Sequence, residues 1–260
     1  MIYSTFAQVY DQLMDQDLYT DWRDYVLKQV PAKGQRLLEL AGGSGSLAVL
    51  LQNAGFNVTT LDLSAEMLSL AAEKINRAGL DIPLVQADMR DFAQLGEFDV
   101  VTCFDDSICY MPNLADIKTV FSEVNASLVP GGRFMFDAHS LHQMDDIFPG
   151  YMYNYQTEDY AFIWSSYEGE VPHSAEHDLT FFVYHEDIDA YKPLIEQHKE
   201  RTYPLRTLWL PSPRLGLWTF RYPQTSGAVQ SLTTARAGSS VALRVPSSNR
   251  LGAITCVVLG

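Results

Sequence analysis

Between residues 37 and 137, short apolar runs alternate with amphipathic stretches at helical spacing, and this pattern constrains the fold more than any other feature. Five runs have the length and apolar content of buried strands: 37–40, 58–61, 83–86, 100–104 and 133–137. Three stretches between them have helical spacing: 47–54, 65–78 and 114–128. Ser64 is a suitable N-cap for the second helix. Strands that alternate with helices through short connections predict an α/β fold, a doubly wound parallel sheet with helices on both faces.

The first strand runs directly into a glycine-rich turn, because residues 37–45 are LLELAGGSG. Glycines such as Gly42, Gly43 and Gly45 let the backbone approach a ligand closely. The amides at the start of the next helix then face that ligand. With Ala48 the turn also fits the dinucleotide pattern G-x-G-x-x-G/A, so the turn alone does not distinguish one nucleotide cofactor from another.

Carboxylates stand at the ends of the next two predicted strands. Asp62 ends the second strand, and Asp88 follows the third. Because the carboxyl ends of parallel strands meet at one edge of a sheet, both side chains should border the same crevice. Asp62 could accept hydrogen bonds from both ribose hydroxyls, and Asp88 could accept one from an adenine amino group. The alternative role for each is a helix cap or a solvated loop acid.

Five short motifs follow one another along this region: ELAGGSG at 39–45, DLS at 62–64, ADM at 87–89, FDVV at 98–101 and PGG at 130–132. In this order they resemble the motifs of the class I methyltransferases, which depend on S-adenosylmethionine. Residues 3–14 resemble the opening segment of a group of small bacterial members. The resemblance implies a Rossmann-like core, S-adenosylmethionine as cofactor and methyl transfer as the reaction.

The resemblance also implies a set of cofactor-binding residues. They are Tyr10, Glu39, Ala41, Gly42, Gly43, Gly45, Asp62, Leu63, Met67, Ala87, Asp88, Met89 and Phe104. The three glycines would line the methionine moiety, Asp62 would hold the ribose, and Asp88 with Met89 would meet the adenine. Glu39 would shape the loop, and Tyr10 would close over the cofactor.

The loop departs from the commoner family form at one position. Family loops usually have the pattern G-x-G-x-G, whereas residues 41–45 are AGGSG, so that Ala41 stands at the first glycine position. We expect Ala41 to occupy a turn with a negative φ, which alanine adopts without strain.

Candidate groups for the reaction itself follow the fourth and fifth strands. A sulfonium methyl is already a strong electrophile, so transfer needs alignment with a nucleophile, and it needs a base only if the acceptor must lose a proton. Asp105, Asp106 and Tyr110 lie on the loop after the fourth strand. His139 follows the fifth strand and is predicted to be either a base or a polar loop residue without a catalytic role.

The chain is predicted to have three parts, of which the last is residues 206–260. Residues 1–139 form the S-adenosylmethionine-binding core with an N-terminal helical lid, and 140–205 form an antiparallel β-rich insertion after the fifth strand that caps the acceptor. In this insertion aromatic residues alternate with a period of two between 151 and 167, which fits a packed sheet face or a substrate-lining wall. Its histidines match no standard metal spacing, so no metal is expected: His173, His177, His185 and His198.

Composition excludes several classes of protein. A hydrophobic fraction of 47% is enough for a sizeable core, and a net charge of −14 disfavours nucleic acid as a partner. Without a signal sequence or an apolar run of about 20 residues, a cytoplasmic protein that does not span a membrane is expected. The resemblance implies a small-molecule acceptor as the partner, while the oligomeric state is undetermined. The three cysteines are expected to be buried structural thiols.

Two other functions stay open at this point. An NAD-dependent oxidoreductase would explain the glycine loop and Asp62, but not Asp88, Glu39 or the PGG turn. A non-catalytic protein that keeps the cofactor fold as a scaffold is the second alternative.

Residues 206–260 are an atypical tail that we interpret as the product of a shifted reading frame. Residues 201–260 carry seven arginines and neither lysine nor carboxylate, whereas all 32 acidic residues precede them. Around residues 215–225, new codons can be formed from the last base of each codon and the first two bases of the next. They permit A-G-F-L-D-I-S-V-S-A-D-F, which resembles the end of a family member. Under this hypothesis the fifth strand loses its natural neighbours and its edge is exposed; resequencing the gene would decide the matter.

Overall fold

A computed structural model describes residues 14, 16–157, 160–185, 189–204, 207–208, 219–220 and 254–259. Its strands are β1 (Arg36–Leu40), β2 (Asn57–Asp62), β3 (Leu84–Gln86), β4 (Phe98–Cys103), β5 (Leu128–His139), β6 (Met152–Gln156), β7 (Tyr160–Glu168), β8 (Ser174–His185), β9 (Ala190–Arg201), β10 (Thr219–Phe220) and β11 (Ile254–Leu259). The α-helices in these ranges are α1 (Gln16–Gln29), α2 (Ser46–Asn53), α3 (Ala65–Arg77) and α4 (Leu114–Ser127).

The first five strands form a parallel sheet in the order β3-β2-β1-β4-β5, as the alternating pattern predicted. Successive side chains of each strand enter opposite apolar layers: Leu37 packs in the layer of α1, α2 and α3, and Leu38 in that of α4. The predicted N-cap is confirmed, since the Ser64 Oγ accepts a hydrogen bond of 3.1 Å from the Met67 amide. The fold class is therefore the predicted Rossmann-like, doubly wound sheet.

Helix α1 belongs to the N-terminal region that was expected to be helical. Its buried face contains Tyr19, Trp22, Tyr25 and Val26, which pack in the layer of α2 and α3. The Trp22 indole stacks on Phe104, with ring centroids 5.7 Å apart. This contact places α1 beside the carboxyl end of β4.

A second sheet, here called the cap sheet, consists of the antiparallel strands β6, β7, β8 and β9. This confirms the antiparallel insertion after the fifth strand. Every second residue along each strand points to the buried face of this sheet, here called its inner face. Phe162 of β7 and Phe181 of β8 lie there, and their rings stack with centroids 4.7 Å apart. Cross-strand pairing puts Tyr153 and Tyr155 on the face of Phe162, whereas Tyr167 lies on the opposite face. The period-two aromatics therefore largely share one face, with packed rings at its centre.

The expectation that the edge of β5 is exposed is wrong. Strand β11 pairs antiparallel with β5 from Ile254↔His139 to Leu259↔Phe134, and β10 pairs antiparallel with β11. The hydrogen-bonding groups of β5 therefore find partners on this side as well. The shifted reading frame of 206–260 stays a prediction. No helix in the described part of the chain is long and apolar enough to cross a membrane.

Candidate active site

Asp62, the last residue of β2, anchors the glycine loop. The Gly43 amide donates a hydrogen bond of 2.8 Å to Asp62 Oδ2, and the Ser64 amide donates one of 2.8 Å to Oδ1. Burial raises the pKa of Asp62, and these backbone hydrogen bonds partly offset the increase. Each carboxylate oxygen keeps a second lone pair, so Asp62 can still accept hydrogen bonds from two hydroxyls.

Glu39 supports the loop from beneath. Its Oε2 accepts a hydrogen bond of 2.7 Å from the Thr60 hydroxyl, and both side chains are buried. Burial raises the pKa of Glu39 to about 8, although the hydrogen bond from Thr60 lowers it. At neutral pH Glu39 is therefore mostly protonated and can donate a hydrogen bond as well as accept one.

The three loop glycines are required for different physical reasons. A Cβ on Gly42 would lie 1.8 Å from Thr60 Oγ1, and one on Gly45 would lie 2.9 Å from the Ala71 Cβ. A Cβ on Gly43 would meet nothing within 4 Å, although its φ of +54° favours glycine. Gly42 and Gly45 therefore permit close packing within the protein, whereas Gly43 borders open space.

Ala41 does not adopt the expected negative φ. Its φ is +51°, in the left-handed region that favours glycine, because the chain turns sharply between β1 and the loop. The expectation from sequence was therefore wrong at this position. Alanine keeps a strained conformation where the commoner family form has glycine.

We therefore expect Ala41→Gly to stabilise the protein. Relief of the left-handed strain is worth about 1–2 kcal/mol, and the greater entropy of the unfolded glycine chain offsets about 0.4–1 kcal/mol of this. Urea unfolding should show a net increase in the free energy of unfolding. Ala54→Gly is the matched control, because Ala54 has a φ of −75° and its replacement should only destabilise. Equal effects of the two changes would contradict the strain at Ala41.

The remaining predicted cofactor residues lie in several environments. Leu63 is 61% exposed just past the end of β2. Met67 and Phe104 are buried in the layer of α1, α2 and α3, while Ala87 and Met89 are partly buried against the opposite layer. Leu63 is thus the apolar side chain among these that borders the solvent at this edge. Tyr10 lies outside the described residues.

The Asp88 carboxylate already accepts hydrogen bonds from a neighbouring arginine. Arg90 donates through its Nη2 to Asp88 Oδ2 at 2.6 Å and through its amide to Oδ1 at 2.8 Å. These hydrogen bonds lower the pKa of Asp88. A hydrogen bond from an adenine amino group would therefore have to share the carboxylate with Arg90.

The loop after β4 holds two consecutive residues in the left-handed region. Asp105 has a φ of +61° and Asp106 one of +53°. The Asp106 amide donates a hydrogen bond of 2.9 Å to Oδ1 of Asp137, a fully buried residue of β5. Asp137 Oδ2 also accepts a hydrogen bond of 2.9 Å from the Trp22 indole. One buried carboxylate therefore fixes both this loop and helix α1.

His139 connects the core to the cap sheet. Its Nε2 lies 2.9 Å from Glu200 Oε2 on β9, and its Nδ1 lies 3.5 Å from Asp106 Oδ2. Burial disfavours the charged imidazolium, but the two carboxylates outweigh it and raise the pKa of His139 to about 9. His139 is therefore protonated at neutral pH, which favours a positioning role over that of a base.

Comparison with known proteins identifies the family. A model of the methyltransferase domain matches residues 37–132. The protein YqeM of Bacillus subtilis (strain 168), named as a methyltransferase without a stated substrate, is 38% identical over 206 residues, which cover 79% of this chain and 82% of that protein. The chain belongs to the class I methyltransferases. Members of this family take the methyl group from S-adenosylmethionine.

Solved structures agree with the fold of this methyltransferase. An S-adenosylmethionine-dependent methyltransferase from Clostridium acetobutylicum superposes with a TM-score of 0.73 at 24% identity, over 99% of this chain and 98% of that one. The sugar N-methyltransferase KedS8 of Streptoalloteichus superposes with a TM-score of 0.64 at 20% identity, over 80% and 81% of the two chains. None of these matches supports the oxidoreductase alternative.

The cap sheet of the methyltransferase has further polar contacts, one with the core and two between its own strands. The Tyr110 hydroxyl lies 2.7 Å from His198 Nδ1, and the Ser166 hydroxyl lies 2.7 Å from His177 Nδ1. His177 Nε2 lies 3.8 Å from Glu200, and burial lowers the pKa of His177. Within the described ranges no group of three or more histidine, cysteine or acidic residues could hold a metal ion.

Sequence reasoning missed several of these residues in the methyltransferase. Asp137 was assigned only to a strand, and Glu200 was not singled out. His177 and His198 were considered only as metal ligands. A signal existed for His198 and Glu200, since together with Glu196 they alternate along one stretch, as residues on one face of a strand do.

Proposed function

We propose that this methyltransferase transfers the methyl group of S-adenosylmethionine to a small-molecule acceptor held between the carboxyl ends of the core strands and the cap sheet. One observation carries this proposal. The glycine loop follows β1 at the same edge of the sheet where Tyr110 and His139 contact the inner face of the cap sheet. Donor and acceptor would therefore meet at this edge, as ligands do in open α/β sheets.

The loop fits the proposed cofactor. Gly43 leaves room beside the backbone, Asp62 has lone pairs for ribose hydroxyls, and Leu63 offers an exposed apolar side chain for the adenine. When bound, the cofactor supplies a sulfonium methyl group for in-line displacement. The protein's own contribution is then alignment of the acceptor and exclusion of water.

The contacts of the cap sheet support this role. His139 and Glu200 bridge the end of β5 to β9, and Tyr110 bridges the loop after β4 to His198. These buried contacts hold one wall of the crevice in place over the reaction centre. The name of the structural neighbour that methylates a sugar nitrogen supports a small-molecule acceptor.

We expect Asp62→Ala to weaken the binding of S-adenosylmethionine by about 1–3 kcal/mol, the contribution of hydrogen bonds to a charged group. Isothermal titration calorimetry with the full chain measures this directly. Asp81→Ala is the control, because Asp81 is exposed before β3 at the opposite edge of the sheet and should not affect affinity. Unchanged affinity in Asp62→Ala would remove Asp62 from the site, and no binding by the unaltered protein would contradict the proposed function.

A further inference from the structure

We infer that the acceptor is a primary or secondary amine, which binds as an ammonium ion against Asp106 and gives up one proton to this carboxylate before methyl transfer. This inference rests on the proposed function and names the substrate class of the same site. It follows from the charges where the cap sheet meets the core, from the contacts of the two Asp106 oxygens and from the way the loop is held.

Acidic groups outnumber cations at this junction. Asp106 and Asp137 come from the core, and Glu200 comes from β9; all three are buried. Burial raises the pKa of Asp137 well above its ordinary value, so the negative charges to be balanced are those of Asp106 and Glu200. Among the described residues, only histidines form ion pairs with Asp106 and Glu200, and of these His139 is the one whose pKa is raised. Buried carboxylates without enough cations favour a ligand that brings a positive charge.

Asp106 has one carboxylate oxygen in need of a partner. The residue is 8% exposed, and no described residue gives Oδ1 a hydrogen bond, whereas Oδ2 lies 3.5 Å from His139 Nδ1. Buried polar atoms nearly always have a hydrogen-bond partner, so an unpaired carboxylate oxygen calls for one. An ammonium group offers N–H donors and a positive charge together, whereas a hydroxyl offers one donor and leaves the charge uncompensated.

The backbone at Asp106 is strained, and surrounding contacts hold it in this conformation. Asp105 and Asp106 both have left-handed φ values, and the fully buried Asp137 fixes the Asp106 amide. Strained residues that surrounding contacts hold rigidly are concentrated at functional sites. The strain here lies at the carboxyl end of β4, beside the crevice in which the methyl group would be transferred.

The proton and electron balance of the step is simple. An ammonium nitrogen has no lone pair, so it first loses one proton to Asp106 Oδ1, which becomes a neutral carboxylic acid. The nitrogen lone pair then forms a bond to the methyl carbon. The carbon–sulfur bond breaks, and its electron pair stays on the sulfur, so that S-adenosylhomocysteine and a protonated N-methyl amine result.

The acidity of Asp106 suits this step. Burial raises its pKa to about 7, although the charge of His139 lowers it. A carboxylate with a pKa near neutrality accepts a proton far more readily than an exposed one. The titratable groups that face Asp106 are Cys103 at the end of β4, Asp105 on its own loop, Cys109 in the following turn, Asp137 and His139 on β5, and Glu200 on β9.

The substrate class can be tested with the unaltered protein. A bacterial small-molecule extract is divided, and the amines of one half are acetylated with acetic anhydride, followed by hydroxylamine to restore the hydroxyls. Each half is incubated with the protein and methyl-labelled S-adenosylmethionine. We expect labelled product from the mock-treated half and at least a tenfold lower yield from the acetylated half.

The role of Asp106 is tested with Asp106→Asn and the acetylation-sensitive fraction as acceptor. We expect at least a 100-fold loss of kcat/KM, because general base catalysis contributes about 10²–10⁴-fold, with the Kd for S-adenosylmethionine changed less than twofold. The unaltered protein should show kcat/KM rising with pH near 7, and the variant should lack this rise. Asp178→Asn is the control, since Asp178 pairs with Gln197 on the outer face of the cap sheet and its loss should leave activity unchanged.

The possible results of these experiments contradict different parts of the proposal. Undiminished labelling after acetylation would overturn the amine and leave the methyltransferase function intact. No labelling in either half would overturn the proposed function and this inference with it. An equal loss of cofactor affinity and activity in Asp106→Asn would assign Asp106 to the cofactor and overturn its role toward the acceptor. If Asp106→Asn does not fold, the acetylation experiment and the pH profile of the unaltered protein still decide.

Discussion

Gly42→Ala is expected to abolish the binding of S-adenosylmethionine and to destabilise the protein by about 3 kcal/mol, the upper end of the range for overpacking. The added Cβ would lie 1.8 Å from Thr60 Oγ1 and 2.8 Å from Glu39 Oε2. Since Thr60 is fully buried, it has no space to withdraw, and the hydrogen bond between Glu39 and Thr60 would break. Urea unfolding and calorimetry on the same variant measure the two effects.

Gly43 and Gly79 provide a matched pair for this experiment. Both have a positive φ, +54° and +68°, and a Cβ on either would meet nothing within 4 Å. Alanine at each should therefore cost about 1 kcal/mol of backbone strain. Gly43→Ala should also lower cofactor affinity at least tenfold, whereas Gly79→Ala, after the end of α3, should leave it unchanged. Equal affinities in these two variants would show that Gly43 does not face the cofactor.

Glu200→Gln is expected to reduce the free energy of unfolding by about 3–5 kcal/mol, because it leaves the charge of His139 without its closest partner in a buried site. The control is Glu176→Gln on the neighbouring strand. Glu176 forms an exposed ion pair of 2.8 Å with Lys199, and its loss should change stability little. Similar losses from both substitutions would contradict the importance of the buried pair.

The pH dependence of the free energy of unfolding should also differ between the unaltered protein and Glu200→Gln. Burial opposes the ionisation of Glu200, but the charge of His139 outweighs it and lowers the pKa to about 2, so its contribution disappears as pH falls from 4.5 through 2. The pKa of His139 is raised from 6.5 to about 9, so its contribution is complete below pH 6.5 and is lost as pH rises through 9. The stability difference between the unaltered protein and Glu200→Gln should therefore be largest between pH 4.5 and 6.5.

The core strands could be predicted from the sequence, whereas β9 could not, and the polarity of the buried residues explains both results. Strands β1 and β4 are buried on both faces and are therefore mostly apolar, which makes them easy to detect. In β9 the inward residues are Glu196, His198 and Glu200, so the stretch has the composition of a loop. Its buried face is polar because it lies against the polar groups of the core.

The same distinction applies to the candidate site. The glycine loop and Asp62 are local features with fixed spacing, so sequence alone could propose them. The contacts of Asp137 with Trp22 and of His139 with Glu200 join residues more than 60 positions apart. Such contacts depend on the packing of whole elements, which no local pattern reveals. The left-handed φ of Ala41 was missed because it depends on the turn that the surrounding loop imposes.

The position of the cap sheet in the chain affects how this enzyme can evolve. Under the proposed assignment, the described residues that face the methyl donor precede residue 105, whereas those that face the acceptor follow it, and the cap sheet lies in one segment between β5 and β11. This segment leaves the sheet at the end of β5, and the chain returns beside the same strand. Recombination at two points could therefore replace the recognition of one acceptor by that of another while the donor site is inherited unchanged.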